Sequence, residues 1–335
     1  MELPAALRQG VETLLEGVPL PALRQAAHAL SGRYRAETRD GRPHMGSDLA
    51  ARAYLATRLP ATYAAVRAAL EAAAGARPDF SPKTLLDIGA GPGTMLWAAA
   101  EQWPGLDEAT LLEASEPVRQ VGMTLAAAGP VAQARWLAGD ATLGLEAMAP
   151  AELVTVAYVL DELAPAARPK LVARLWALTG GMLVIVEPGT PAGWRRILAA
   201  RAQLVEAGGH LAAPCPHRGP CPLAAPDWCH FSQRLARSRL HRLVKDADLP
   251  WEDEKFSYLA VSRRPAAPGA AVPARVLAPP RAGSGKVELK LCRPDGSAAA
   301  QLFSRRDGEM FRAARRCGWG DTLETAVDRQ AGRKS

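Results

Sequence analysis

Glycines and acidic residues stand where short apolar runs end, and such residues bind nucleotide-like ligands. The run TLLDIG leads into a glycine-rich loop that precedes a helical pattern, and two later runs end at acids. Glycines in such a loop let the backbone turn sharply and approach a ligand at the carboxyl end of a strand. The spacing predicts one ligand site. Its members are Asp87, Gly89, Gly91, Gly93, Glu113 and Asp140.

The loop resembles the E/D-x-G-x-G-x-G motif of class I methyltransferases more than a dinucleotide fingerprint, because Thr94 stands where the latter has glycine. The resemblance implies S-adenosylmethionine as the cofactor. Glu113 would accept hydrogen bonds from the ribose hydroxyls, and Asp140 would lie beside the adenine amino group. Taken singly, each residue is as consistent with a turn glycine or a helix cap. Three motifs in register favour the cofactor site.

The catalytic candidates follow the fourth apolar run, in AYVLDEL, where this class usually positions its methyl acceptor. Asp161 and Glu162 occupy that place, and Tyr158 is the nearby aromatic residue, for which core packing is the alternative. The segment is not an N-P-P-Y type motif, which methylation of an adenine or guanine amino group normally needs. No catalytic role is therefore assigned to any of the three.

Four of the five cysteines are spaced like the ligands of a metal centre. Cys215, Cys221 and Cys229 form a C-x5-C-x7-C pattern in a segment rich in proline and glycine, and Cys292 begins a later turn. Four thiolates suffice for a zinc site or an iron-sulfur cluster, and the missing C-x2-C knuckle favours the cluster. Buried thiols in a plain core segment fit the prolines and charges poorly. Cys317 is expected to be a free thiol.

Apolar runs alternating with helical patterns determine the expected fold. The runs are TLLDIG, ATLLEA, ARWLAGD, LVTVAYVL and GMLVIVEPG. Strands that alternate with helices predict a parallel sheet covered by helices. The predicted fold class is α/β, a class I (Rossmann-like) S-adenosylmethionine-dependent methyltransferase fold with a helical N-terminal region, a cysteine-rich insertion and a small C-terminal β extension.

Composition divides the chain into successive parts. Residues 1–80 are alanine-rich and form a helical N-terminal region, whereas residues 81–264 form the Rossmann-like domain and include the cysteine-rich segment 210–231. Residues 265–285 hold many Pro, Ala and Gly residues and are interpreted as a linker, in which RVLAPP is a candidate edge strand. The final parts are a small β-hairpin and basic extension, residues 286–327, and a polar tail, residues 328–335.

The formal net charge of +7 favours a polyanionic partner, with RNA as the first candidate. The RNA-binding candidates lie near one face of a predicted helix that begins after Cys229. They are Arg234, Arg237, Arg242 and Lys245, and a second basic cluster holds Arg305, Arg306, Arg312, Arg315 and Arg316. The alternative for both clusters is a solvated helical surface. Neither a membrane span nor a signal peptide is expected, so the predicted location is the cytoplasm.

Several segments together resemble one known family. They are LSGRYR at 31–36, YLATRLPATYAAV at 54–66, the LLDIGAGPGT loop, VEPGTPAGW at 186–194, and CPHRGPCPL to WCHFSQR. From about Leu30 to Cys292 the chain resembles the methyltransferase-like family associated with the small ribosomal subunit, whose mitochondrial members assist assembly of that subunit. The resemblance implies a bacterial relative of them, with a 4Fe-4S cluster on Cys215, Cys221, Cys229 and Cys292, that acts on or near small-subunit rRNA.

Two functions from different classes remain open at this point. The first is an enzyme that transfers a methyl group from S-adenosylmethionine to small-subunit rRNA. The second is a catalytically silent assembly factor that binds immature rRNA and uses the cluster as a structural element or an iron sensor; the missing acceptor motif supports it. Methylation of a small molecule or a protein is a third, weaker alternative, which the basic clusters disfavour.

Overall fold

The computed structural model describes residues 1–35, 45–267 and 272–324. The helices are α1 (Ala5–Leu15), α2 (Leu20–Arg35), α3 (Asp48–Thr57), α4 (Leu59–Ala76), α5 (Thr94–Gln102), α6 (Glu116–Ala126), α7 (Arg168–Leu178), α8 (Pro191–Glu206), α9 (Arg239–Lys245) and α10 (Glu309–Ala314). The strands are β1 (Thr84–Ile88), β2 (Glu108–Glu113), β3 (Gln133–Ala138), β4 (Ala151–Ala157), β5 (Thr179–Pro188), β6 (His210–Ala213), β7 (Phe231–Ala236), β8 (Trp251–Ser262), β9 (Ala274–Val276), β10 (Arg281–Gly283), β11 (Lys286–Cys292), β12 (Ala298–Ser304) and β13 (Thr322–Leu323). Short 3-10 turns span Leu145–Ala147 and Arg305–Asp307.

The larger sheet has the strand order β3-β2-β1-β4-β5-β8-β6. Strand β7 pairs with the N-terminal half of β8, whereas β6 pairs with its C-terminal end. Strands β1 to β5 are parallel to one another, and β8 is antiparallel to both β5 and β6. The order reverses on either side of β1, which is where an open α/β sheet binds its ligand. The chain is thus a mixed α/β protein with a central parallel sheet.

Apolar residues bury both faces of this sheet. Val154 and Val156 of β4 and Val184 of β5 are fully buried, as expected for parallel strands covered on both sides. On one face the core includes α4, α5 and α6, and on the other it includes α7 and α8. These two layers fix the ends of β1 to β5 and hence the loops that follow them.

The N-terminal helices extend the first of these layers. The alanine-rich α4 is buried on most of its surface and packs against α5 and β8, while α3 packs against α2 and α4. Ser47 caps α3 by accepting a hydrogen bond from the backbone N–H of Ala50 at 3.2 Å. The small alanine side chains let α4 approach its neighbours closely, so this region is continuous with the core of the α/β fold.

A second sheet follows, with the order β10-β11-β9-β13 and β12 on the other side of β11. Its own core contains Val276, Leu289, Leu291 and Phe303, against which Phe311 of α10 packs. The interpretation of residues 265–285 as a linker is wrong from Ala274 onward, because β9 and β10 belong to this sheet. Strand β9 pairs with β11 and β13, so it is an internal strand rather than an edge.

The predicted helix after Cys229 is also wrong over its first turns. Residues Phe231–Ala236 form β7, which pairs with Trp251–Phe256, and the helix begins only at Arg239. Phe231 and Leu235 point into the core, whereas Arg234 is exposed. Ser238 caps the short α9 that follows. Among the residues that the structure describes, no helix combines the length and the apolar character needed to cross a membrane.

Candidate functional site

The glycine loop after β1 adopts a conformation that needs glycine. Gly89, Gly91 and Gly93 have φ angles of 68°, 57° and 85°, in the left-handed region. A Cβ atom on Gly89 would lie 2.3 Å from Cγ2 of Val159, whereas one on Gly91 would meet no atom within 4 Å. The first glycine therefore allows close packing of the loop, and the second leaves open space beside it.

The three acids predicted to hold a cofactor line one cavity of about 420 Å³ with the glycine loop. This volume lies within the usual range for small-molecule sites. The cavity begins at the carboxyl ends of β1, β2 and β3. The structure thus brings together Asp87, Gly89, Gly91, Glu113 and Asp140, and Gly93 starts α5 beside them.

Asp87 is almost fully buried at 2% exposure. Its Oδ1 accepts a hydrogen bond from the hydroxyl of Thr155 at 2.7 Å, and its Oδ2 is buried without a partner among the described residues. Removal from water raises the pKa of Asp87 to about 7, and the neighbouring Glu113 adds to the rise. A buried carboxyl oxygen without a donor leaves a position that a ligand N–H group can fill.

Glu113 ties the glycine loop to the second strand. Its carboxylate accepts hydrogen bonds from the backbone N–H groups of Gly91 at 3.0 Å and Ser115 at 2.8 Å. Burial raises its pKa, and these hydrogen bonds oppose the rise. The carboxylate of Asp140 accepts a hydrogen bond from the backbone N–H of Thr142 at 2.7 Å, which orients it just after the carboxyl end of β3. Each oxygen of Glu113 keeps one lone pair for a ligand hydroxyl.

Three tyrosines, Tyr34, Tyr54 and Tyr158, also line the cavity. Burial raises the pKa of each hydroxyl, so all three are neutral. Tyr158 has a φ of 59°, which is uncommon for a residue with a side chain, and its N–H donates to the carbonyl of Val186 at 2.9 Å. Strained backbone of this kind clusters at functional sites.

An ion pair between Arg58 and Glu254 contacts two of these tyrosines, Tyr158 and Tyr34. The hydroxyl of Tyr158 donates to Glu254 at 3.2 Å, and Arg58 forms an ion pair with Glu254 at 3.4 Å. The Arg58 guanidinium lies 5.9 Å from the ring centroid of Tyr34. The sequence reasoning missed Tyr34, Tyr54, Arg58 and Glu254, because they come from α2, α3, the α3–α4 junction and β8. Polar residues within otherwise alanine-rich helices were the available signal.

The two acidic candidates after β4 have different positions. Glu162 lines the cavity and is open to solvent there. The protein that surrounds its carboxyl group, together with the charge of Asp161, raises its pKa to about 8. Asp161 is buried and does not line the cavity. It lies near Glu187, whose pKa is raised to about 8 by burial and by Asp161. Glu187 in turn pairs with Arg196 and accepts from the N–H of Leu160.

The four cysteines Cys215, Cys221, Cys229 and Cys292 line a second cavity, away from the first. Three come from the loop between β6 and β7, and Cys292 ends β11 of the small sheet. Burial raises the pKa of Cys229, and the three other thiols add to the rise. All four thiols are free, and no three His, Cys, Asp or Glu side chains in the described ranges are placed to hold a metal ion.

Two arginines order the loop that carries these cysteines. Arg201 donates to the carbonyls of His217 and Gly219, both at 2.7 Å. Arg275 of β9 donates to the carbonyl of Pro214 at 3.2 Å and to that of Gly320 at 2.7 Å, so it joins the loop to the small sheet. Both guanidinium groups lower the pKa of Cys215, against the larger effect of burial. Positive charge beside the thiols favours their ionised form.

Three of the four residues predicted to bind RNA are engaged within the protein. Arg234 on β7 pairs with Asp253 through two hydrogen bonds of 2.7 and 2.8 Å. Arg237 and Lys245 both pair with Glu252, at 3.0 and 2.7 Å. Arg242 is exposed on α9 and has no ion pair within the described part of the chain. The predicted single helical face does not exist, and most of its charge is neutralised.

Comparison with known proteins gives a family and several relatives. The family model described as mitochondrial small ribosomal subunit Rsm22 matches residues 48–324. The human mitochondrial ribosome assembly protein METTL17 is 32% identical over 286 residues, which cover 81% of this chain and 61% of that protein. The Rsm22-cox11 tandem protein 2 of Schizosaccharomyces pombe mitochondria is 23% identical over 318 residues, covering 80% of this chain and 42% of that protein. The chain therefore spans only part of the length of these relatives.

Solved structures with a similar arrangement are methyltransferases at low sequence identity. An O-methyltransferase family protein from Burkholderia thailandensis has a TM-score of 0.45 and 13% identity, over 75% of this chain and 74% of that one. Magnesium protoporphyrin IX methyltransferase from Synechocystis PCC 6803 with bound S-adenosylmethionine has a TM-score of 0.41 and 13% identity, over 61% of this chain and 80% of that one.

Proposed function

The chain belongs to the Rsm22 family of mitochondrial small ribosomal subunit proteins, and from this membership we propose a more specific function. The protein binds S-adenosylmethionine and acts as a methyltransferase-like factor on small-subunit rRNA or the assembling small ribosomal subunit. One observation carries the proposal: the glycine loop and three carboxyl groups meet in a single cavity at the carboxyl ends of β1 to β3. The human relative named as a ribosome assembly protein supports the partner.

The lining of the cavity suits S-adenosylmethionine in charge and in hydrogen bonding. The ligand carries an ammonium group and a sulfonium centre, and the carboxyl groups of Asp87, Glu113, Asp140 and Glu162 face or border the cavity. The unpartnered Oδ2 of Asp87 matches an ammonium donor. The remaining acceptor capacity of Glu113 matches two ribose hydroxyls, and the open space beside Gly91 admits close approach of the ligand.

Bound S-adenosylmethionine would supply an electrophilic methyl group, and the tyrosines that line the cavity would contact its acceptor. Tyr158 and Tyr34 offer ring faces on which a nucleobase can stack. Glu162, with a pKa of about 8, can take up a proton from the acceptor, since its ionised form is substantially populated near that pH. Alignment of donor and acceptor in one cavity would supply much of the rate enhancement.

The hypothesis of an enzyme is tested by measuring the transfer of a labelled methyl group from S-adenosylmethionine to immature small subunits from cells that lack this protein. Anaerobically purified wild type is compared with Asp87→Ala and with Glu162→Gln. Label in rRNA that both variants reduce at least tenfold supports an rRNA methyltransferase. Binding of the donor without any label in rRNA, together with tight binding to the particle, supports the catalytically silent assembly factor instead. The absent N-P-P-Y motif favours that second function.

We further propose that the cysteine cavity holds a 4Fe-4S cluster on Cys215, Cys221, Cys229 and Cys292. All four cysteines line one cavity, and ligands spread over a cavity suit a cluster, whose ligands bind different irons, better than a single zinc ion. Arg201 and Arg275 lie beside Cys215 and would offset part of the negative charge that four thiolate ligands bring. The cluster would be a structural cross-link, and free thiols in this number fit the reducing cytoplasm, where we place the protein.

The cluster is tested by metal analysis of protein purified without oxygen. We expect iron and acid-labile sulfide near four atoms of each per chain, as the cubane core requires. Cys229→Ser should lose both, because a ligand that is buried among the other three thiols is removed. Stoichiometric zinc in the wild type, with no sulfide, would show a zinc centre and contradict the cluster.

A further inference from the structure

A cationic surface lies on the small C-terminal sheet, separate from both cavities. We call it the arginine face and define it by Lys286, Arg305, Arg306, Arg312, Arg315 and Arg316. All six side chains are exposed. Arg305 and Arg306 belong to the 3-10 turn after β12, and the other three arginines belong to α10 and its C-terminal end.

The fold places these cations on neighbouring elements of the small sheet and its helix. The backbone N–H of Arg305 donates to the carbonyl of Gly285 at 3.2 Å, and Lys286 pairs with Ser304 across the hairpin. The 3-10 turn is followed by α10, which carries Arg312, and Arg315 and Arg316 follow the last residue of this helix, Ala314. The Arg315 guanidinium lies 5.6 Å from the centroid of Phe311, which anchors that face to the core of the sheet.

The arginine face differs in its ion pairing from the basic residues of the β7–α9 region, most of which are paired with acids. No ion pair in the described ranges involves any of its six cations. Arg234, Arg237 and Lys245, by contrast, are paired with Asp253 or Glu252. Of the two acids in the segment 305–316, Asp307 is used to cap its own turn, where it accepts from the N–H of Ser304. The charge of this face is therefore available to a partner.

We propose that the arginine face is the surface by which this protein contacts the phosphate backbone of rRNA. This inference rests on the proposed function, and it assigns the RNA contact to the small sheet instead of the β7–α9 region. Five exposed guanidinium groups on two neighbouring elements are suited to phosphate oxygens, which they bind through paired N–H donors. Since the contacts are made to phosphates, they position the protein on RNA without reading its sequence.

The test measures RNA affinity of the full chain by fluorescence anisotropy, with fluorescein-labelled fragments that tile the small-subunit rRNA. The test variant combines Arg305→Gln, Arg306→Gln, Arg312→Gln and Arg316→Gln, and leaves Arg315 because it packs on Phe311. The matched control removes four exposed cations elsewhere: Lys170→Gln, Arg195→Gln, Arg239→Gln and Arg242→Gln. Affinity for S-adenosylmethionine and the thermal midpoint are measured for both variants.

We expect the test variant to bind the tightest wild-type fragment at least tenfold more weakly, with the slope of log Kd against log salt reduced by about three. The control should change Kd less than threefold. Equal losses in both variants, or unchanged RNA binding by the test variant, would overturn the inference and leave the proposed function standing. Tighter binding of polyglutamate than of RNA would reassign the face to an acidic protein. A wild type that binds no fragment contradicts the RNA part of the proposed function itself.

Discussion

At the scale of single residues, the cavity beside the glycine loop is lined by carboxyl groups held away from water. Asp87 is the clearest case, because it is 2% exposed, receives one hydrogen bond and has a second oxygen without a donor. Its pKa is raised from 3.8 to about 7 by burial and by Glu113. Such a group lowers the stability of the ligand-free protein once it ionises, and a cationic ligand reverses the effect.

Asp87→Asn is therefore expected to change the pH dependence of stability. Because the folded-state pKa is raised, the aspartate's contribution is fully present below pH 4 and is lost as pH rises through about 7. The asparagine variant does not titrate, so its stability relative to wild type should increase by a few kcal/mol between about pH 4 and pH 7 and then level off. Urea midpoints of ligand-free protein across this range check the prediction. A constant difference would show that Asp87 is ionised throughout.

Gly89 and Gly91 form a matched pair of substitutions in the glycine loop. Both have positive φ, so alanine at either costs roughly 1 kcal/mol in backbone strain. At Gly89 the added Cβ also meets Val159 at 2.3 Å, whereas at Gly91 it enters open space. The thermal midpoint should therefore fall further for Gly89→Ala than for Gly91→Ala. Gly91→Ala should still weaken binding of S-adenosylmethionine, measured by titration calorimetry. The reverse order of thermal midpoints would contradict the packing argument.

The acids that line the cavity beside the glycine loop could be predicted from the sequence. They follow strands whose ends must meet at one edge of the sheet. Asp87, Glu113 and Asp140 are of this kind. The tyrosines that line the same cavity could not be predicted in the same way. Tyr34 and Tyr54 come from helices far from the strands in sequence, and Glu254 from β8, so only packing of the N-terminal helices onto the sheet brings them together.

At the scale of elements, acidic residues of β8 pair with the basic residues of β7 and α9. Its Glu252 lies among Arg237, His241 and Lys245, and its Asp253 pairs with Arg234. Burial acts to raise the pKa of Glu252, but the neighbouring His241 and Lys245 lower it well below its ordinary value. The contacts join β7, α9 and β8 through one carboxylate, which explains why a basic stretch can pack beside the sheet.

Glu252→Gln and Asp253→Asn should therefore differ in their effect on stability. Glu252 is largely buried and serves several cations, so its neutral replacement leaves them without a counter-charge and should cost about 2 to 3 kcal/mol. The pair of Arg234 with Asp253 is exposed, and its loss should cost less than about 1 kcal/mol. Chemical denaturation at pH 7 measures both. Similar costs for the two variants would show that Glu252 is not the organising group.

The elements that periodicity located well are the five parallel strands, whose apolar runs coincide with β1 to β5. Periodicity failed for β7, because basic residues in FSQRLARSRLHRL repeat at a spacing that suits a helix as well. Pairing with β8 decides the outcome, and that contact lies outside the local sequence. For β9 the surrounding Pro and Gly residues suggested a linker, whereas its partners β11 and β13 lie later in the chain.

At the scale of the whole molecule, the small sheet is joined to the α/β fold around the cysteine cavity. Arg275 connects the carbonyls of Pro214 and Gly320, Lys290 forms an ion pair with Asp227, and Cys292 completes the set of four thiols. The sequence predicted a site shared by the cysteine-rich segment and the later hairpin, but not the position of Cys292 within a separate five-stranded sheet. That position follows from where β11 ends, which depends on the folding of residues 274–324 as one unit.

Cys292→Ser is expected to loosen the small sheet while the α/β fold stays intact. Cys292 is the single ligand candidate from that sheet, so its loss removes the covalent cross-link that a cluster would make between the two sheets. Hydrogen exchange should accelerate in β9 and β11 at least tenfold, with β1, β4 and β5 unchanged and donor affinity within twofold of wild type. The matched control is Cys317→Ser, which changes a thiol of the same unit that does not line the cavity. If Cys317→Ser accelerates exchange as much as Cys292→Ser, the thiols of this unit act through packing alone and the cysteine cavity does not join the two sheets.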